Sequence, residues 1–260
     1  MGKEWQLWVD QTPHPGWANM ALDQTLLDRA EQHGECWLRL YQWQPYCLSF
    51  GRHEPALRRY DAGRIRELGL DTVRRPTGGR AVWHSRELTY AVAAPVQQLG
   101  SLQAAYLEIH RMLATALEEL GTTASLAAPA GPTSLDAGAC FARAAGGEVM
   151  IDGRKIVGSA QLRRGDALLQ HGSILLEDDQ ALIAGLTLGT KANPPSGRAI
   201  SLGALLGRRI AACEVVDAVA RAAASCWRAA WSRISDPGAI LDAAAMHFAQ
   251  FQSPAWTWAR

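Results

Sequence analysis

The sequence predicts an α+β protein in which a mixed, largely antiparallel sheet is flanked by helices and followed by a helical C-terminal extension. Strand-like runs follow one another directly, with helical segments between the groups, which is unlike the regular alternation of a doubly wound parallel sheet. After residue 205 the composition becomes rich in alanine, with apolar residues at helical spacing. We therefore place a main domain at residues 1–205 and a helical extension, packed on it, at residues 206–260.

The first half of the chain begins with a helix and continues with short strands. After Gly16 the segment "NMALDQTLLDRAEQ" predicts the helix, and Gln44-Pro45 separates two strands, "CWLRLYQW" and "YCLSFGR". A further strand, "LDTVRR", enters a glycine loop, and "AVWHSRELTYAVAAP" leaves that loop as a strand. Ser101 is the expected N-cap of a second long helix, which Gly121 ends.

The second half of the chain contains two turn signals between apolar runs. Asp152-Gly153, between "EVMI" and "KIVGSAQL", predicts a two-residue hairpin, and Arg164-Gly165-Asp166 turns the chain into "ALLQHGSILL". These runs predict a three-strand meander. The segment "ISLGALLGRRIAACEVVDAVARAAASCWRAAW" then predicts helix.

Charge and hydropathy limit the classes of partner. The 260 residues are 48% hydrophobic and carry a net charge of +1, so no global field attracts nucleic acid or an anionic membrane. The segment "MGKEWQLWVDQTPHPG" lacks the apolar run of a signal peptide, and no stretch reaches the roughly 18 apolar residues of a membrane span. These observations predict a soluble, cytoplasmic protein, and the lack of a heptad pattern favours a monomer.

The stretch "RRPTGGRAVWHSRELTY" is the first candidate for a binding site. Consecutive glycines, Gly78 and Gly79, let a backbone approach a ligand closely, and Arg75 and Arg80 beside them offer charge-assisted hydrogen bonds. It is not a nucleotide-binding P-loop, because the Gly-x-x-x-x-Gly-Lys pattern is absent and the loop joins two strands. The alternative is an ordinary tight turn with surface arginines.

Cysteine and lysine supply the candidate reactive groups. The five cysteines are widely spaced without a Cys-x-x-Cys pair, which favours neither disulfides nor zinc; four are expected to be packing residues. By themselves, Cys140 is expected to be a buried filler and Lys155 a solvated residue, but a lysine ammonium beside a cysteine favours the reactive thiolate. His84 and His171 stand in no metal-ligand spacing, so they are candidates for structural or supporting roles near the same site. We predict no metal site.

Several motifs in order resemble the lipoate/octanoate branch of the biotin/lipoate protein ligase fold. They are "NMALDQTLL", "RLYQWQPYCLSFGRHE", "RRPTGGRAVWHSRELTYAV", "ACF" and "GRKIVGSAQLRRGDALLQHGSIL". The resemblance implies that residues 1–205 are a catalytic domain of this fold. Gly-Gly-Arg with Glu-Leu-Thr-Tyr is similar to the cysteine-dependent octanoyltransferases, whereas ATP-dependent lipoate ligases have a third glycine where this chain has Arg80.

Within that group, the resemblance implies transfer of octanoate from acyl carrier protein, through a cysteine thioester, to a lysine of a lipoyl domain, without a cofactor. The acceptor would be the glycine-cleavage H protein or a dehydrogenase E2 domain. Cys140 precedes Lys155 by the interval typical of the group, so both are the implied catalytic residues. Val82 and Trp83 are candidates for enclosing the acyl chain. The implied substrate-binding residues are Arg75, Thr77, Gly78, Gly79, Arg80, His84, Gly158, Ser159, Ala160, His171 and Gly172.

Two departures from the group's pattern leave the acyl-chain length and the donor open. Ser85 follows the histidine where the group has aspartate, and "ARAAGG" follows Cys-Phe where the group has a bulkier segment. Two other functions also stay open. One is an ATP-dependent lipoate or octanoate ligase, in which Cys140 is dispensable. The other is a non-catalytic acyl-binding regulator on the same fold.

Overall fold

The computed structural model describes residues 4–128, 146–189 and 199–259. Among these residues are twelve strands and ten helices. The strands are β1 (Trp5–Val9), β2 (Cys36–Tyr41), β3 (Cys47–Phe50), β4 (Asp71–Arg74), β5 (Val82–His84), β6 (Glu87–Pro95), β7 (Ser125–Leu126), β8 (Val149–Ile151), β9 (Arg154–Lys155), β10 (Val157–Arg164), β11 (Ala167–Leu175) and β12 (Trp231–Arg233). The helices are α1 (Gly16–His33), α2 (Ala56–Arg59), α3 (Ala62–Glu67), α4 (Val96–Leu99), α5 (Leu102–Glu119), α6 (Leu182–Gly185), α7 (Leu202–Leu206), α8 (Ala212–Trp227), α9 (Gly238–Gln252) and α10 (Pro254–Thr257).

A six-stranded mixed sheet organises the molecule, in the order β10-β11-β6-β2-β1-β12. The pairs β2–β6, β6–β11 and β11–β10 are antiparallel, whereas β1 runs parallel to both β2 and β12. Two three-stranded sheets, β4-β3-β5 and β7-β8-β9, stand beside it. The predicted α+β class with a mixed, largely antiparallel sheet is confirmed.

Helices cover both faces of the large sheet because its strands alternate between two apolar cores. Leu38 and Val92 belong to the core under α5 and α8, while their neighbours Trp37 and Ala93 belong to the core under α1 and α9. This is the period-two alternation of a sheet buried on both faces. As expected, the hydroxyl of Ser101 caps α5 by accepting from the N–H of Ala104. No helix among the described residues is long and apolar enough to cross a membrane.

Both turn signals in the second half are confirmed. Asp152 and Gly153 have φ of 50° and 71°, so both residues take the left-handed conformation that a tight two-residue hairpin requires. Gly165, with φ of 53°, turns β10 into β11.

The predicted three-strand meander is wrong, because β8 and β9 pair in a small sheet while β10 and β11 join the large one. The run 81–95 is likewise divided, with β5 and β6 in different sheets. At each division a short break, at Ile156 and at Ser85 and Arg86, carries the chain from one sheet to the other.

The C-terminal region contains a strand that the sequence did not predict. Trp231, Ser232 and Arg233 pair in parallel with Trp5, Gln6 and Leu7 at the edge of the large sheet. A three-residue strand that follows an alanine-rich helix shows too little alternation to be detected from the sequence. The rest of this region is helical as expected, and the division of the chain at residue 205 stays a prediction.

Arg74, the last residue of β4, ties the C-terminal segment to the loop that follows β3. Its guanidinium is buried and donates to six backbone carbonyls, those of Gly51, Arg52, Glu54, Trp256, Thr257 and Ala259. Arg74 therefore connects two segments of the backbone, and its side chain does not face solvent. A buried charge of this kind stabilises a fold only because its donors are satisfied.

We expect Arg74→Met to lower the free energy of unfolding by about 3 kcal/mol, because several carbonyls lose a charged donor. Urea denaturation followed by fluorescence measures the loss. Arg64 is the matched control: it is exposed and pairs only with Glu67 at 3.3 Å among the contacts described, so Arg64→Met should change stability by less than about 0.5 kcal/mol. Equal effects of the two substitutions would contradict the structural role of Arg74.

Candidate active site

A cleft between the glycine loop and strands β5, β10 and β11 brings together most of the predicted substrate residues. The cleft is narrow: its cavity volume is about 20 Å³. The predicted residues that line it are Arg75, His84, Gly158, Ser159, Ala160, His171 and Gly172. Apolar and aromatic residues complete the wall, among them Met20, Tyr41, Trp43 and Val82. Trp83 does not line it: on strand β5 its neighbours Val82 and His84 face the cleft, while Trp83 packs in a separate core.

Arg75 lines the cleft, but its guanidinium holds the loop in shape. It donates to the carbonyls of Gly78 at 3.1 Å and Arg80 at 2.8 Å, and to the hydroxyl of Ser49 at 2.5 Å. The loop is thus folded around this side chain. A contact between Arg75 and substrate stays a prediction.

The two loop glycines, Gly78 and Gly79, differ in conformation and in their surroundings. Gly79 has φ of 90°, and a Cβ there would lie 3.2 Å from Nη2 of Arg75 and 3.9 Å from Cβ of Ala160 across the cleft. A Cβ on Gly78 would meet nothing within 4 Å, and its φ is not in the left-handed region. Neither N–H donates to a backbone carbonyl of the described residues. Gly79 is therefore required by conformation, while Gly78 leaves open space beside the cleft.

Of the three arginines Arg74, Arg75 and Arg80, Arg80 has the fewest side-chain hydrogen bonds among the described residues. Its side chain is half-buried, and Nη1 is shielded from solvent with no hydrogen-bond partner among the described residues. A shielded guanidinium nitrogen without a partner is costly unless a ligand or water satisfies it. Substrate binding by Arg80 therefore stays a prediction, and the shielded Nη1 without a partner gives a physical reason for it.

His171 fixes the start of the glycine loop. Its Nδ1 lies 2.8 Å from Oδ2 of Asp23, and its Nε2 lies 2.6 Å from the hydroxyl of Thr77. Burial lowers the pKa of His171, outweighing the Asp23 carboxylate that raises it, so the ring is neutral at neutral pH. Nδ1–H therefore donates to Asp23, and Nε2 accepts from Thr77. Thr77 is thus placed beside the cleft by His171.

Asp23 is in turn held by a buried arginine. The guanidinium of Arg39 donates to Asp23 at 3.0 Å, to Asp10 at 2.6 Å and to the side chain of Asn19 at 2.8 Å. Its carbon lies 3.9 Å from the ring of Tyr41, whose hydroxyl donates to the other oxygen of Asp23. The charged donors and acceptors satisfy one another, which a buried ion pair requires.

His84 forms a second buried chain on the other side of the cleft. Its Nδ1 lies 2.6 Å from Oε1 of Glu87, its Nε2 lies 2.6 Å from the hydroxyl of Ser49, and its ring stacks on Trp43 at 3.9 Å. Glu87 was not predicted as a site residue. Its place three residues after His84, at the first position of β6, is the signal that sequence reasoning missed.

Lys155 is buried, contrary to the expectation of a solvated residue. Its ammonium lies 2.5 Å from Oε1 of Glu148. Glu148 was missed, although the hairpin indicates it: Met150 pairs with Lys155, so Glu148 is a diagonal neighbour on the same face. Cys140 lies outside the described residues, and its proximity to Lys155 stays a prediction.

The remaining cysteines fall into two groups. Cys36 and Cys47 are buried packing residues as expected, and Cys226 is half-buried. Cys213 is exposed, so the expectation that it is a packing residue is wrong. In the part of the chain that the structure describes, no group of three or more histidine, cysteine or carboxylate side chains is arranged to hold a metal ion.

His110 on α5 is a further buried residue that sequence reasoning missed. Its Nδ1 lies 2.7 Å from the carbonyl of Gly147, and its Nε2 lies 2.8 Å from the hydroxyl of Ser159. Burial lowers the pKa of His110 to about 4. It lies in the middle of a helix with ordinary spacing, so no sequence pattern indicated it.

Gly172 faces the Ser159 hydroxyl on the neighbouring strand. A Cβ there would lie 2.4 Å from the carbonyl of Gly158 and 2.8 Å from the hydroxyl of Ser159. Only glycine therefore fits at this position of β11, beside β10.

Comparison with known families identifies the class of this protein. The chain matches the lipoyl protein ligase A/B catalytic domain over residues 15–224. It is 36% identical to octanoyltransferase LipM of Symbiobacterium thermophilum and 35% identical to that of Moorella thermoacetica, over 85% and 84% of both chains respectively. The protein of the same name from Carboxydothermus hydrogenoformans is 40% identical over 66% of this chain and 65% of its own length. The chain belongs to the lipoyl protein ligase A/B family.

Solved structures give the same fold. Lipoate-protein ligase A bound with ATP superposes with a TM-score of 0.82 at 18% identity, covering 98% of this chain and 99% of the other. A bi-partite lipoate protein ligase, studied with its E2 lipoyl domain from Thermoplasma acidophilum, gives a TM-score of 0.79 at 18% identity over 98% and 96% of the chains. At this identity the likeness establishes the fold alone.

We expect Gly79→Val to reduce acyl transfer at least about tenfold while lowering stability by about 1–2 kcal/mol, since it strains a left-handed residue beside the cleft. Gly69→Val is the control, because Gly69 also has a left-handed φ, 63°, its added Cβ would meet nothing within 4 Å, and it does not line the cleft. Transfer rate and melting temperature are measured on the same preparation. Normal transfer by folded Gly79→Val would show that the glycine pair is an ordinary turn.

Proposed function

We propose that this acyltransferase moves an octanoyl group from acyl carrier protein, through a thioester on Cys140, to a lysine of a lipoyl domain in lipoate biosynthesis. The observation that carries the proposal is a sequence comparison: over 85% of its length, the chain is more than one-third identical to an octanoyltransferase. The buried Lys155 at the end of β9, next to the cleft strand β10, supports it. The donor thioester already holds the acyl group at an energy comparable to that of the enzyme thioester, so no ATP is required.

Lys155 is the group we assign to activation of the thiol. A cysteine reacts as its thiolate, and a neighbouring ammonium favours that form. Glu148, 2.5 Å away, fixes the position of the ammonium inside the protein. Glu148 therefore holds the ammonium at a set position, which electrostatic stabilisation of a developing anion requires.

The glycine loop supplies candidate donors for the thioester oxygen. The N–H groups of Gly78 and Gly79 face no backbone acceptor among the described residues, and Arg75 holds the turn rigid. The backbone of Gly158, Ser159 and Ala160 is the alternative oxyanion site. Val82, Met20 and Trp43 offer the apolar surface for the alkyl chain, because they line the same cleft.

The acceptor we propose is a lipoyl domain, either the glycine-cleavage H protein or a dehydrogenase E2 domain. A ligase of the same fold was solved in a system with its E2 lipoyl domain, which supports this class of acceptor. An ATP-dependent ligase and a non-catalytic acyl-binding protein remain as outcomes of the first experiment below.

Cys140→Ser should abolish formation of a covalent octanoyl-enzyme, because the hydroxyl is not ionised near neutral pH. Intact-protein mass spectrometry after incubation with octanoyl-acyl carrier protein, without nucleotide, detects the adduct. Cys213→Ser is the matched control, since Cys213 is the exposed cysteine of the described chain, and should acylate normally. Acyl transfer by Cys140→Ser that depends on ATP would support the ligase instead. Binding of the acyl group without any transfer by the wild type would support the regulator.

Lys155→Met should shift alkylation of Cys140 by iodoacetamide to higher pH, because the thiolate loses a neighbouring positive charge. Arg154→Met is the control. The adjacent side chain on a strand points to the opposite face, and Arg154 pairs with Asp152 at 3.9 Å. The pH profile of alkylation should be unchanged in this control. An identical profile in Lys155→Met and wild type would exclude Lys155 as the activating group.

A further inference from the structure

A serine hydroxyl, that of Ser173 on strand β11, lies on the floor of the cleft. In the register of the large sheet Ser173 pairs with Thr89 of β6 and with Gly158 of β10, and all three residues line the cleft. Side chains two positions apart on a strand point to the same face of the sheet. Ser173 therefore shares the face of His171, whose ring holds Thr77 beside the cleft. The Ser173 hydroxyl is buried and faces the cleft.

The contact between Ser173 and His84 shows that the serine oxygen accepts there. This oxygen lies 3.3 Å from Nδ1 of His84. The same nitrogen lies 2.6 Å from Oε1 of Glu87, and a carboxylate oxygen can only accept, so Nδ1 carries a proton in the neutral ring and in the imidazolium alike. A hydroxyl opposite an N–H group can only accept from it. The proton of Ser173 therefore does not go to His84.

The other hydrogen bonds around this histidine ring give the same direction. The indole N–H of Trp43 donates to the hydroxyl of Thr89 at 2.7 Å, so the Thr89 proton is left to donate to Oε1 of Glu87 at 2.6 Å. At the second ring nitrogen, Nε2, the Ser49 hydroxyl is 2.6 Å away and accepts from the guanidinium of Arg75. Its own proton is thus free to bind Nε2, which leaves Nδ1 as the protonated nitrogen of the neutral ring.

Ser173 differs from the other hydroxyls of the cleft because its proton is unused. Four hydroxyl side chains belong to residues that line the cleft, those of Tyr41, Thr89, Ser159 and Ser173. Tyr41 and Thr89 donate to buried carboxylates, and Ser159 pairs with Gly172, which places its hydroxyl on the opposite face of the sheet. In the part of the chain that the structure describes, the Ser173 proton meets no acceptor. A buried donor without an acceptor is costly unless a ligand or water binds it.

An octanoyl thioester offers one strong acceptor to such a donor. Its alkyl chain has no acceptor and its sulfur is a weak one, so the carbonyl oxygen remains. This oxygen gains negative charge each time the carbonyl carbon is attacked. A donor that is already in place therefore stabilises the transition state more than it stabilises the bound substrate.

We propose that the Ser173 hydroxyl binds the carbonyl oxygen of the octanoyl group and stabilises the oxyanion in both acyl transfers. The proposal rests on the proposed function. In the first transfer the Cys140 thiolate bonds to the carbonyl carbon, the π electrons move to the oxygen, and the carrier thiolate leaves as the double bond re-forms. In the second transfer the lysine amine attacks, and the Cys140 thiolate leaves with a proton from the amine. Ser173 keeps its own proton throughout.

The test measures both half-reactions separately. Octanoyl-acyl carrier protein acylates the enzyme in the first, and isolated octanoyl-enzyme transfers the group to a lipoyl domain in the second. We expect Ser173→Ala to slow each step about a hundredfold, the usual effect of removing one oxyanion donor. Tyr90→Phe is the matched control, because it removes a buried hydroxyl from the opposite face of the same sheet and should change each rate less than about twofold.

A second pair of variants separates the hydroxyl from the shape of the side chain. Threonine and valine have nearly the same shape, but only threonine has a hydroxyl. Ser173→Thr should therefore exceed Ser173→Val at least about tenfold in both steps. Melting temperatures are measured for every variant, and the rates are compared well below the lowest of them.

The carbonyl stretching band of the octanoyl-enzyme reports the hydrogen bond directly. The octanoyl group is labelled with carbon-13 at the carbonyl carbon, and the band is recorded by infrared difference spectroscopy. Donation to the oxygen weakens the double bond, so the band of Ser173→Ala should lie at higher wavenumber than that of wild type. Tyr90→Phe should leave the band in place. A serine that only packs in the sheet would not move this band.

Three results would overturn the proposal and leave the proposed function standing. They are slowing of only one half-reaction in Ser173→Ala, an unshifted carbonyl band in that variant, and equal rates for Ser173→Thr and Ser173→Val. If Ser173→Ala does not fold, the threonine and valine variants decide the question by rate and by infrared band. Wild type that forms no octanoyl-enzyme would overturn the proposed function and this inference with it.

Discussion

The cleft depends on the burial of one positive charge, the guanidinium of Arg39 in strand β2. A fully buried charge is tolerated only when carboxylates and hydrogen bonds surround it, and Asp10 and Asp23 provide them from β1 and α1. Asp23 has a second task, because its other oxygen binds His171. The carboxylate that neutralises Arg39 therefore also sets the ring of a cleft histidine, and through it the Thr77 end of the glycine loop.

The arginines at the glycine loop follow the same physical rule, that a buried guanidinium needs acceptors around it. Here backbone carbonyls take the place of carboxylates. Arg74 and Arg75 direct their donors to the backbone, which closes the loop and anchors the C-terminal segment. Sequence alone favoured ligand binding by Arg75 and Arg80, since a local group of positive charges does not reveal which donors are already used. Arg80, with a shielded donor that has no partner among the described residues, is the member on which a ligand contact can rest.

Local chemistry explains which features were predictable. Asp152-Gly153 and Ser101 are recognisable because a left-handed turn and an N-cap each need particular residues. The assignment of β8 and β9 to another sheet than β10 depends on a break at Ile156 that has no turn residue. The site partners were missed for a related reason: His171 and Asp23 are 148 residues apart, and a histidine in mid-helix such as His110 has no local signature. Packing over long distances decides these contacts.

The two walls of the cleft differ in the hydrogen bonds that they offer. The N–H groups of Gly78 and Gly79 in the loop donate to no backbone carbonyl among the described residues, whereas β10 is paired with β11 along Val157–Arg164. Gly79 lies close to β10, since a Cβ on it would be 3.9 Å from Ala160, so the two walls are near enough to contact one reacting centre. An oxyanion needs donors that the fold has not already used. In the proposed reaction this difference favours the Gly78–Gly79 turn over the β10 backbone as the oxyanion site.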